Sequence, residues 1–362
     1  MPTKTAARAL NFWALLLAVI VTTSCTPPET GPDKLDDYLT RLGRATSLEV
    51  PAPPFIAPPR INDAELTPIE LAPSRIGVLE FLSLSGCDLQ LNLGRRNSSL
   101  GRHASPSQRL LLDLEFLQLA PSCMKFLTDK GDTDLASEIG NIAAARKQAL
   151  PATIYNAIFT GPEFRFFWQL PTALKNYPDN TSGEVIDALN WLNQSIQRWL
   201  SGDYRENAVG DNGFGNGALE QQLSILRAGD GGTLMLAVAV QARAMTQGTA
   251  LLQTRAQQRA LCPAGHETEA AKIIRTVVIN YFAADVQAWL ARLNHRERAL
   301  MGPLRIIEAQ LETTLPKDYQ AWRARRDALL TQLQAAPKAH VQAVKSALNQ
   351  CPALPWAADA TT

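Results

Sequence analysis

The sequence is poor in the residues that build soft-metal and nucleophilic sites, with four His and five Cys in 362 residues. Cysteine and histidine are the usual ligands of such metals, and no catalytic motif occurs with its full sequence context. We therefore expect no metal site and no cofactor. Charged residues are also scarce at 19%, whereas apolar residues reach 46%. This balance favours a folded chain with a large core over a disordered one.

The chain has little net charge, formally +1 at pH 7. Lys4 and Arg8 belong to a segment that we expect to be removed, and without them 33 basic residues face 34 acidic ones, a formal charge of −1. Proteins that bind nucleic acid over a broad surface carry an excess of basic residues. The charge balance therefore argues against a nucleic-acid partner.

The first apolar run of the chain is too short to span a membrane. It comprises the ten residues 12–21, behind Lys4 and Arg8. Ten helical residues measure about 15 Å, half of a hydrocarbon core of about 30 Å. A short apolar run behind basic residues is typical of an export signal, so we expect residues 1–24 to be a signal peptide.

The next four residues, Thr-Thr-Ser-Cys at 22–25, resemble the lipobox of bacterial lipoproteins, with Thr22 where leucine is usual. The resemblance implies cleavage before Cys25, acylation of Cys25 and a tether at 25–33. Two or three acyl chains hold a soluble body at a membrane, because each buried CH₂ contributes about 0.8 kcal/mol. Thr26, in place of Asp, implies sorting to the outer membrane of a Gram-negative cell, with the body facing the periplasm. An ordinary cysteine near a cleaved signal is the alternative.

Four cysteines remain after Cys25 is set aside: Cys87, Cys123, Cys262 and Cys351. An even number in an oxidising compartment predicts disulfides, with three connectivities open. We favour Cys87 with Cys123, which flank a predicted helical hairpin, and Cys262 with Cys351, which both precede a proline at a predicted helix end. Four buried thiols are the alternative. A zinc site is disfavoured because no C-x-x-C or C-x-x-H spacing occurs.

The mature chain divides into an N-terminal arm and one large body. Residues 34–60 are predicted to form a short helix and then an extended strap, because residues 48–60 contain five prolines. Residues 61–356 are predicted to form a single helical domain, which could divide near the Gly-rich stretch 207–217. The last residues, 357–362, are predicted to be a disordered tail.

Apolar residues of the body recur every three or four positions, the spacing of helical stripes. Ser74 is predicted to cap a helix running to Leu93, and Ser105 with Gln108 has the spacing of a capping box, with Pro106 at the first helical position. Alternating strand patterns are hard to find. We therefore predict an all-α fold, an irregular multi-helix bundle or stack. The clearest stripes are Val185, Leu189, Leu192, Ile196 and Trp199; Ile274, Val277, Tyr281 and Trp289; and Tyr319, Trp322, Leu330 and Leu333.

The most distinctive segment lies between Ser85 and Leu117. It reads Gly-Cys-Asp-Leu at 86–89, Arg-Asn-Ser-Ser-Leu-Gly-Arg at 96–102 and Pro-Ser-Gln-Arg-Leu-Leu at 106–111. These strings resemble an uncharacterised family of Gram-negative lipoproteins that is known only as a domain of unknown function. The resemblance covers most of the mature chain. It supports a lipoprotein and implies no activity or catalytic residues.

Basic and short polar side chains crowd the same segment, beside the predicted helix start at Ser105. Arginine forks and free N–H groups at a helix start hold phosphates and carboxylates, as found in lipid headgroups, lipopolysaccharide and peptidoglycan. The alternative is that the arginines pair with Asp88, Asp113 and Glu115 and fix the loop. The candidate anion-binding residues are Arg95, Arg96, Asn97, Ser98, Arg102 and Arg109.

These observations favour a non-enzymatic binding or scaffold protein of the cell envelope, whose partner is an envelope protein, a lipid headgroup or peptidoglycan. One alternative is an enzyme that modifies envelope polymers, with the loop 97–103 at its site. Another is a carrier that shelters an apolar ligand between helices. An enzyme needs a cleft with titratable groups of shifted pKa, a carrier an enclosed apolar pocket, and a scaffold a broad exposed patch.

Overall fold

Helices make up the body of the protein. The structure is a computed structural model and describes residues 30–72, 77–206 and 217–351. The described residues are 72% helical and contain no strand, which confirms the all-α prediction. Most of the Gly-rich stretch at 207–217, and Cys25 with its flanking residues, lie outside the described residues.

The helices follow the predicted stripes closely. A π-helical segment, Val278–Val286, joins two of them into one continuous rod, and a 3₁₀ turn covers Pro263–Gly265. In chain order the helices are α1 (Gly31–Thr46), α2 (Val78–Ser83), α3 (Leu89–Asn97), α4 (Ser99–Arg102), α5 (Pro106–Asp129), α6 (Thr133–Phe159), α7 (Pro162–Phe167), α8 (Glu184–Ser201), α9 (Ala218–Arg227), α10 (Gly231–Gln258), α11 (Glu269–Val277), α12 (Gln287–Gln310) and α13 (Lys317–Ala347).

One predicted helix start is present and one predicted helix is interrupted. Ser105 and Gln108 form the predicted capping box at the start of α5. Ser74 lies outside the described residues, and the helix predicted to run to Leu93 is wrong as a continuous element. It breaks between α2 and α3 at a turn in which Gly86 adopts a φ of 93°, a left-handed conformation that favours glycine.

The strap, residues 48–60, contains neither helix nor strand and lies against α10 and α13. Its prolines lack N–H groups, so the strap cannot pair regularly as a strand. Side chains of the two helices donate hydrogen bonds to two of its carbonyls. Gln247 Nε2 of α10 donates to the Pro51 carbonyl at 2.7 Å, and Trp322 Nε1 of α13 donates to the Pro59 carbonyl at 3.3 Å. The strap is therefore fixed near both of its ends.

Two disulfides connect distant parts of the chain. Cys87 is bonded to Cys123 and Cys262 to Cys351, the two pairings that the sequence favours. Their sequence separations are 36 and 89 residues. Closing loops of these lengths in the unfolded chain stabilises the folded state by about 4 and about 5 kcal/mol respectively, on the loop-entropy model.

The apolar core has a main part and a smaller satellite. The main part contains residues from both sides of 207–216, including four tryptophans and the aromatic rings around Tyr319. The satellite surrounds the Cys87–Cys123 disulfide and is built from α3, α5 and α6, with Phe116 at its centre. Burial of these apolar surfaces is the main source of stability, at about 25 cal/mol per Å².

A buried ion pair lies within the main core. The Arg326 guanidinium on α13 makes two hydrogen bonds to the Glu308 carboxylate on α12, at 2.6 and 2.9 Å, and these two residues are 0% and 2% exposed. The Tyr319 hydroxyl donates to the same carboxylate at 2.5 Å. Burial works to lower the pKa of Arg326, but the hydrogen bonds and charge of Glu308 outweigh it and raise that pKa. Arg326 therefore keeps its charge in the core.

A buried histidine joins α1 to the C-terminal helix. His340 Nε2 lies 2.6 Å from the Tyr38 hydroxyl, and Nδ1 lies 3.4 Å from Thr249 Oγ1. Burial lowers the pKa of His340 to about 4. Gly248 allows the close approach of α10, since a Cβ there would lie 2.7 Å from the imidazole ring. The imidazole is therefore neutral in the folded protein near neutral pH.

We expect Arg326→Met to lower the free energy of unfolding by about 3–5 kcal/mol, because it leaves the Glu308 carboxylate buried without its cation. The double variant Arg326→Met/Glu308→Leu should recover most of the loss, since neither charge is then buried. Arg325→Met, which breaks the exposed pair with Glu65, should change stability by less than about 1 kcal/mol. Urea denaturation measures all three. Equal midpoints for Arg326→Met and Arg325→Met would contradict the prediction.

We expect stability to fall as the pH drops from about 6.5 to about 4, the interval between the unfolded and folded pKa values of His340. Above this interval both states carry a neutral imidazole and the stability is fully present. Within it the unfolded chain binds the proton first, which removes up to about 3 kcal/mol. His340→Gln keeps an acceptor for Tyr38 and should flatten this part of the profile relative to the wild type. The same slope in both proteins would refute the assignment.

Candidate functional site

The arginine segment predicted to bind anions is partly occupied by ion pairs. Arg95 pairs with Glu115, and Arg96 pairs with Asp113, so that α3 is fixed on α5. Arg146 of α6 also lies 3.2 Å from the Asp113 carboxylate. Burial raises the pKa of Asp113, opposed by the charges of Arg96 and Arg146. The sequence offered Asp88, Asp113 and Glu115 as ion-pair partners of the arginines. Arg95 and Arg96 contact two of these three, Glu115 and Asp113.

The other predicted anion-binding residues are spread over the surface of the same segment. Ser98 caps α4 by accepting a hydrogen bond from the Gly101 N–H at 3.0 Å. Arg109 donates to the Arg102 carbonyl at 3.0 Å and also lines a cavity of about 360 Å³. Asn97 and Arg102 are exposed. Anion binding by this segment stays a prediction, and the ion pairs favour a structural role for Arg95 and Arg96.

A cleft that no motif predicts lies beside the irregular segment 168–183. Its volume is about 570 Å³, and Asp230 and Arg296 line it. Arg296 donates to both Asp230 oxygens, at 2.9 and 2.5 Å, and the Tyr177 hydroxyl donates to Asp230 at 2.8 Å. Burial raises the pKa of Tyr177, and the charge of Asp230 adds to this effect. Because the Arg296 guanidinium and the Tyr177 hydroxyl already bind its carboxylate, Asp230 is poorly placed to act as a base or nucleophile.

An open apolar groove of about 720 Å³ runs between the strap, α10 and α13. Ile56 of the strap lines the groove and is 77% exposed, and the neighbouring Phe55 is 40% exposed. The two helices present alanines, Leu329, Thr246 and Gln332 to the groove, and the charged residues that line it in the described part of the chain are Arg243 and Arg325. Its apolar walls include Pro53, Ile56, Ala57, Ala242, Ala328 and Leu329.

Arg243 is the residue of this groove that the sequence analysis missed. A signal was available, because it is the single charged residue between Asp230 and Arg255 in an otherwise uncharged stretch. Its guanidinium lies 6.0 Å from the centre of the Phe55 ring, and its Nε is buried without a hydrogen-bond partner in the described part of the chain. The groove therefore combines apolar walls with an arginine that lacks a carboxylate partner.

Neither a metal centre nor a clear membrane span emerges from the described ranges. Within them no group of three or more His, Cys, Asp or Glu is placed to hold a metal ion. One described stretch, Ala218–Gln258, is long and apolar enough by composition to cross a membrane. Half of its most apolar window is buried inside the protein, as in the core helix of a soluble protein.

The described residues form an all-α, disulfide-bonded domain with an open apolar groove on its surface. Residues 35–355 match the family described as a protein of unknown function, DUF3080, and the chain belongs to this family. The segment between Ser85 and Leu117 resembles an uncharacterised domain family, and this membership confirms that resemblance. No curated protein and no solved structure matches the chain.

We expect Arg96→Gln to lower the free energy of unfolding by about 2 kcal/mol, because it leaves the buried Asp113 carboxylate with fewer charge-assisted hydrogen bonds. Arg102→Gln, a matched change at an exposed arginine of the same segment, should leave stability unchanged. Thermal and urea denaturation measure the difference. Unchanged stability of Arg96→Gln together with weaker binding of inorganic phosphate would instead support the anion site.

Proposed function

We propose that this protein is a lipid-anchored lipoprotein of the outer membrane, that its body faces the periplasm, and that it serves as a non-enzymatic binding protein of the cell envelope. The observation that carries the binding role is the open apolar groove between the strap, α10 and α13. Exposed concave apolar surfaces are typical of sites where soluble proteins bind partners or ligands.

The proposed location rests on the N-terminus and on the cysteines. The lipobox-like residues 22–25 supply the acylated Cys25, and the predicted tether at 25–33 overlaps the first turn of α1, which begins at Gly31. The two disulfides support an oxidising compartment such as the periplasm, because reducing cytosolic conditions keep thiols free. Both features agree with export across the inner membrane.

The state of the polar clusters favours binding over catalysis. In the cleft beside residues 168–183, Asp230 is held by Arg296 and Tyr177. In the arginine segment, the ion pairs of Arg95 and Arg96 serve to fix α3. A catalytic base needs a titratable group that is free to exchange a proton with a substrate. The groove is also open to solvent on one side, which favours a docked ligand over a fully enclosed one.

We expect Cys25→Ala to abolish acylation and release the protein from membranes, leaving it soluble or with its leader uncleaved. Ser24→Ala keeps a small residue before the cysteine and should still be acylated. Labelling with a clickable palmitate analogue, followed by membrane fractionation and mass analysis of the mature N-terminus, measures both outcomes. Membrane partition of Cys25→Ala through a mature N-terminus would overturn the lipid anchor.

The binding role is tested by crosslinking in cells and pull-down of the acylated protein. We expect the wild type to recover an envelope component that Cys25→Ala, displaced from the membrane, recovers in much smaller amount. Equal recovery by both proteins would place the interaction away from the membrane and would overturn the proposed envelope role. Hydrolysis of purified peptidoglycan or lipopolysaccharide by the wild type would favour an enzyme.

A further inference from the structure

The groove contains a cation whose partner is missing from the described residues. Arg243 makes no ion pair within 30–72, 77–206 and 217–351, and its Nε is buried without an acceptor. On the opposite wall, Arg325 pairs with Glu65 at 3.3 Å. No Asp or Glu lines the groove in the part of the chain that the structure describes. The charge pattern is therefore complementary to an anion with an apolar body.

The walls of the groove offer few hydrogen bonds to a peptide. The strap contributes Pro53, Pro54 and Pro59, which have no N–H, and the N–H groups of α10 and α13 are used within those helices. The Thr246 hydroxyl already donates to the Ala242 carbonyl at 2.9 Å. A peptide brings one N–H and one C=O with every residue. Along the helical walls it would meet the Gln332 amide and the two arginines and would leave its other groups unpaired, whereas an alkyl chain brings none.

The shape of the groove suits a single chain. Its volume of about 720 Å³ falls in the range of small-ligand sites. Between the two anchored carbonyls of Pro51 and Pro59, the described strap makes no hydrogen bond to the helices, so it can adjust to a bound chain. Ile56, which lines the groove and is 77% exposed, would lose contact with water when the groove is filled.

We propose that this groove binds a long-chain fatty acid, with the alkyl chain between the strap and the two helices and the carboxylate on the Arg243 guanidinium. The inference rests on the proposed binding role and names its ligand. Carboxylate and guanidinium form charge-assisted hydrogen bonds, here through the terminal N–H groups of the Arg243 fork, because its Nε is buried. The alkyl chain would cover the alanines and Leu329 that line the helical walls.

The test uses the purified full-length protein in nanodiscs of phosphatidylcholine and a palmitate analogue that carries a diazirine. After irradiation, peptide mass spectrometry locates the labelled residues. We expect labels on the strap and on the groove faces of α10 and α13. Palmitate should compete for this labelling at least tenfold more effectively than methyl palmitate, which has the same chain without the charge.

Three variants and one control test the charge of Arg243 and the space in the groove separately. Arg243→Met should weaken competition by palmitate about tenfold, the scale of one charge-assisted hydrogen bond, whereas Arg243→Lys should retain most of it. Ala328→Trp places a large side chain in the groove from an exposed position and should abolish the labelling. Ala288→Trp makes the same change at an exposed position on α12 and should have no effect. Circular dichroism and thermal melting establish that each variant is folded.

The proposal fails if folded Ala328→Trp is labelled like the wild type, or if methyl palmitate competes as well as palmitate. It also fails if vesicles of phosphatidylglycerol or an acidic peptide compete and palmitate does not. The labelling is repeated on Cys25→Ala. Intact groove labelling with lost membrane partition overturns the anchor alone, and retained partition in the wild type without groove labelling overturns the fatty-acid site alone.

Discussion

The packing of α13 depends on the buried contact between Arg326 and Glu308, and much of the molecule depends on α13. The contact fixes α13 against α12 at a depth where no solvent can replace either charge. Trp168 and Trp322 place their rings 5.4 and 5.3 Å from the guanidinium, so the pair also aligns the segment after α7. Trp322 in turn holds the Pro59 carbonyl, which joins the strap to this helix. The position of the groove therefore follows from a charge pair in the core.

The polar contacts of the body fall into two groups with different consequences. In the first group, the partners are complete, as in the contacts around Asp230, Asp113 and Glu308, and they determine which helices pack together. In the second group, an arginine lies beside an apolar surface without a carboxylate, as at Arg243. The first group explains why the cleft and the arginine segment are poor places for chemistry. The second group marks a place on the surface where a charged side chain has no carboxylate partner among the described residues.

The helices were predictable because their signals are local. The stripe at Val185, Leu189 and Ile196 and the capping box at Ser105 each lie within one or a few helical turns, so spacing alone indicates them. The break at Gly86 was missed because the apolar residues on both sides continue the helical period. Only packing against Phe126 and the left-handed φ distinguish the turn.

The candidate sites were less predictable because they depend on distance in space. The sequence leaves two interpretations of Arg95 and Arg96 open, anion binding and pairing with nearby carboxylates, and the carboxylates that they contact lie 20 and 17 residues further along the chain. Asp230 and Arg296 are 66 residues apart in the chain, and no motif connects them. The groove needs a strap and two helices from three separate regions, so its existence follows only from the fold. The lone charge at Arg243 was the one local sign of it.

The connection of α1 to His340 has a consequence for how the molecule responds to mechanical tension. A pull on the chain before Thr30 reaches α1 first, and the Tyr38 contact passes the load to α13. That helix lies inside the loop closed by Cys262 and Cys351, so covalent bonds limit how far it can extend. α1 has no such restraint among the described residues, and the strap follows it directly. Peeling of α1 would therefore pull on the strap, which forms one wall of the groove, while α13 remained in place.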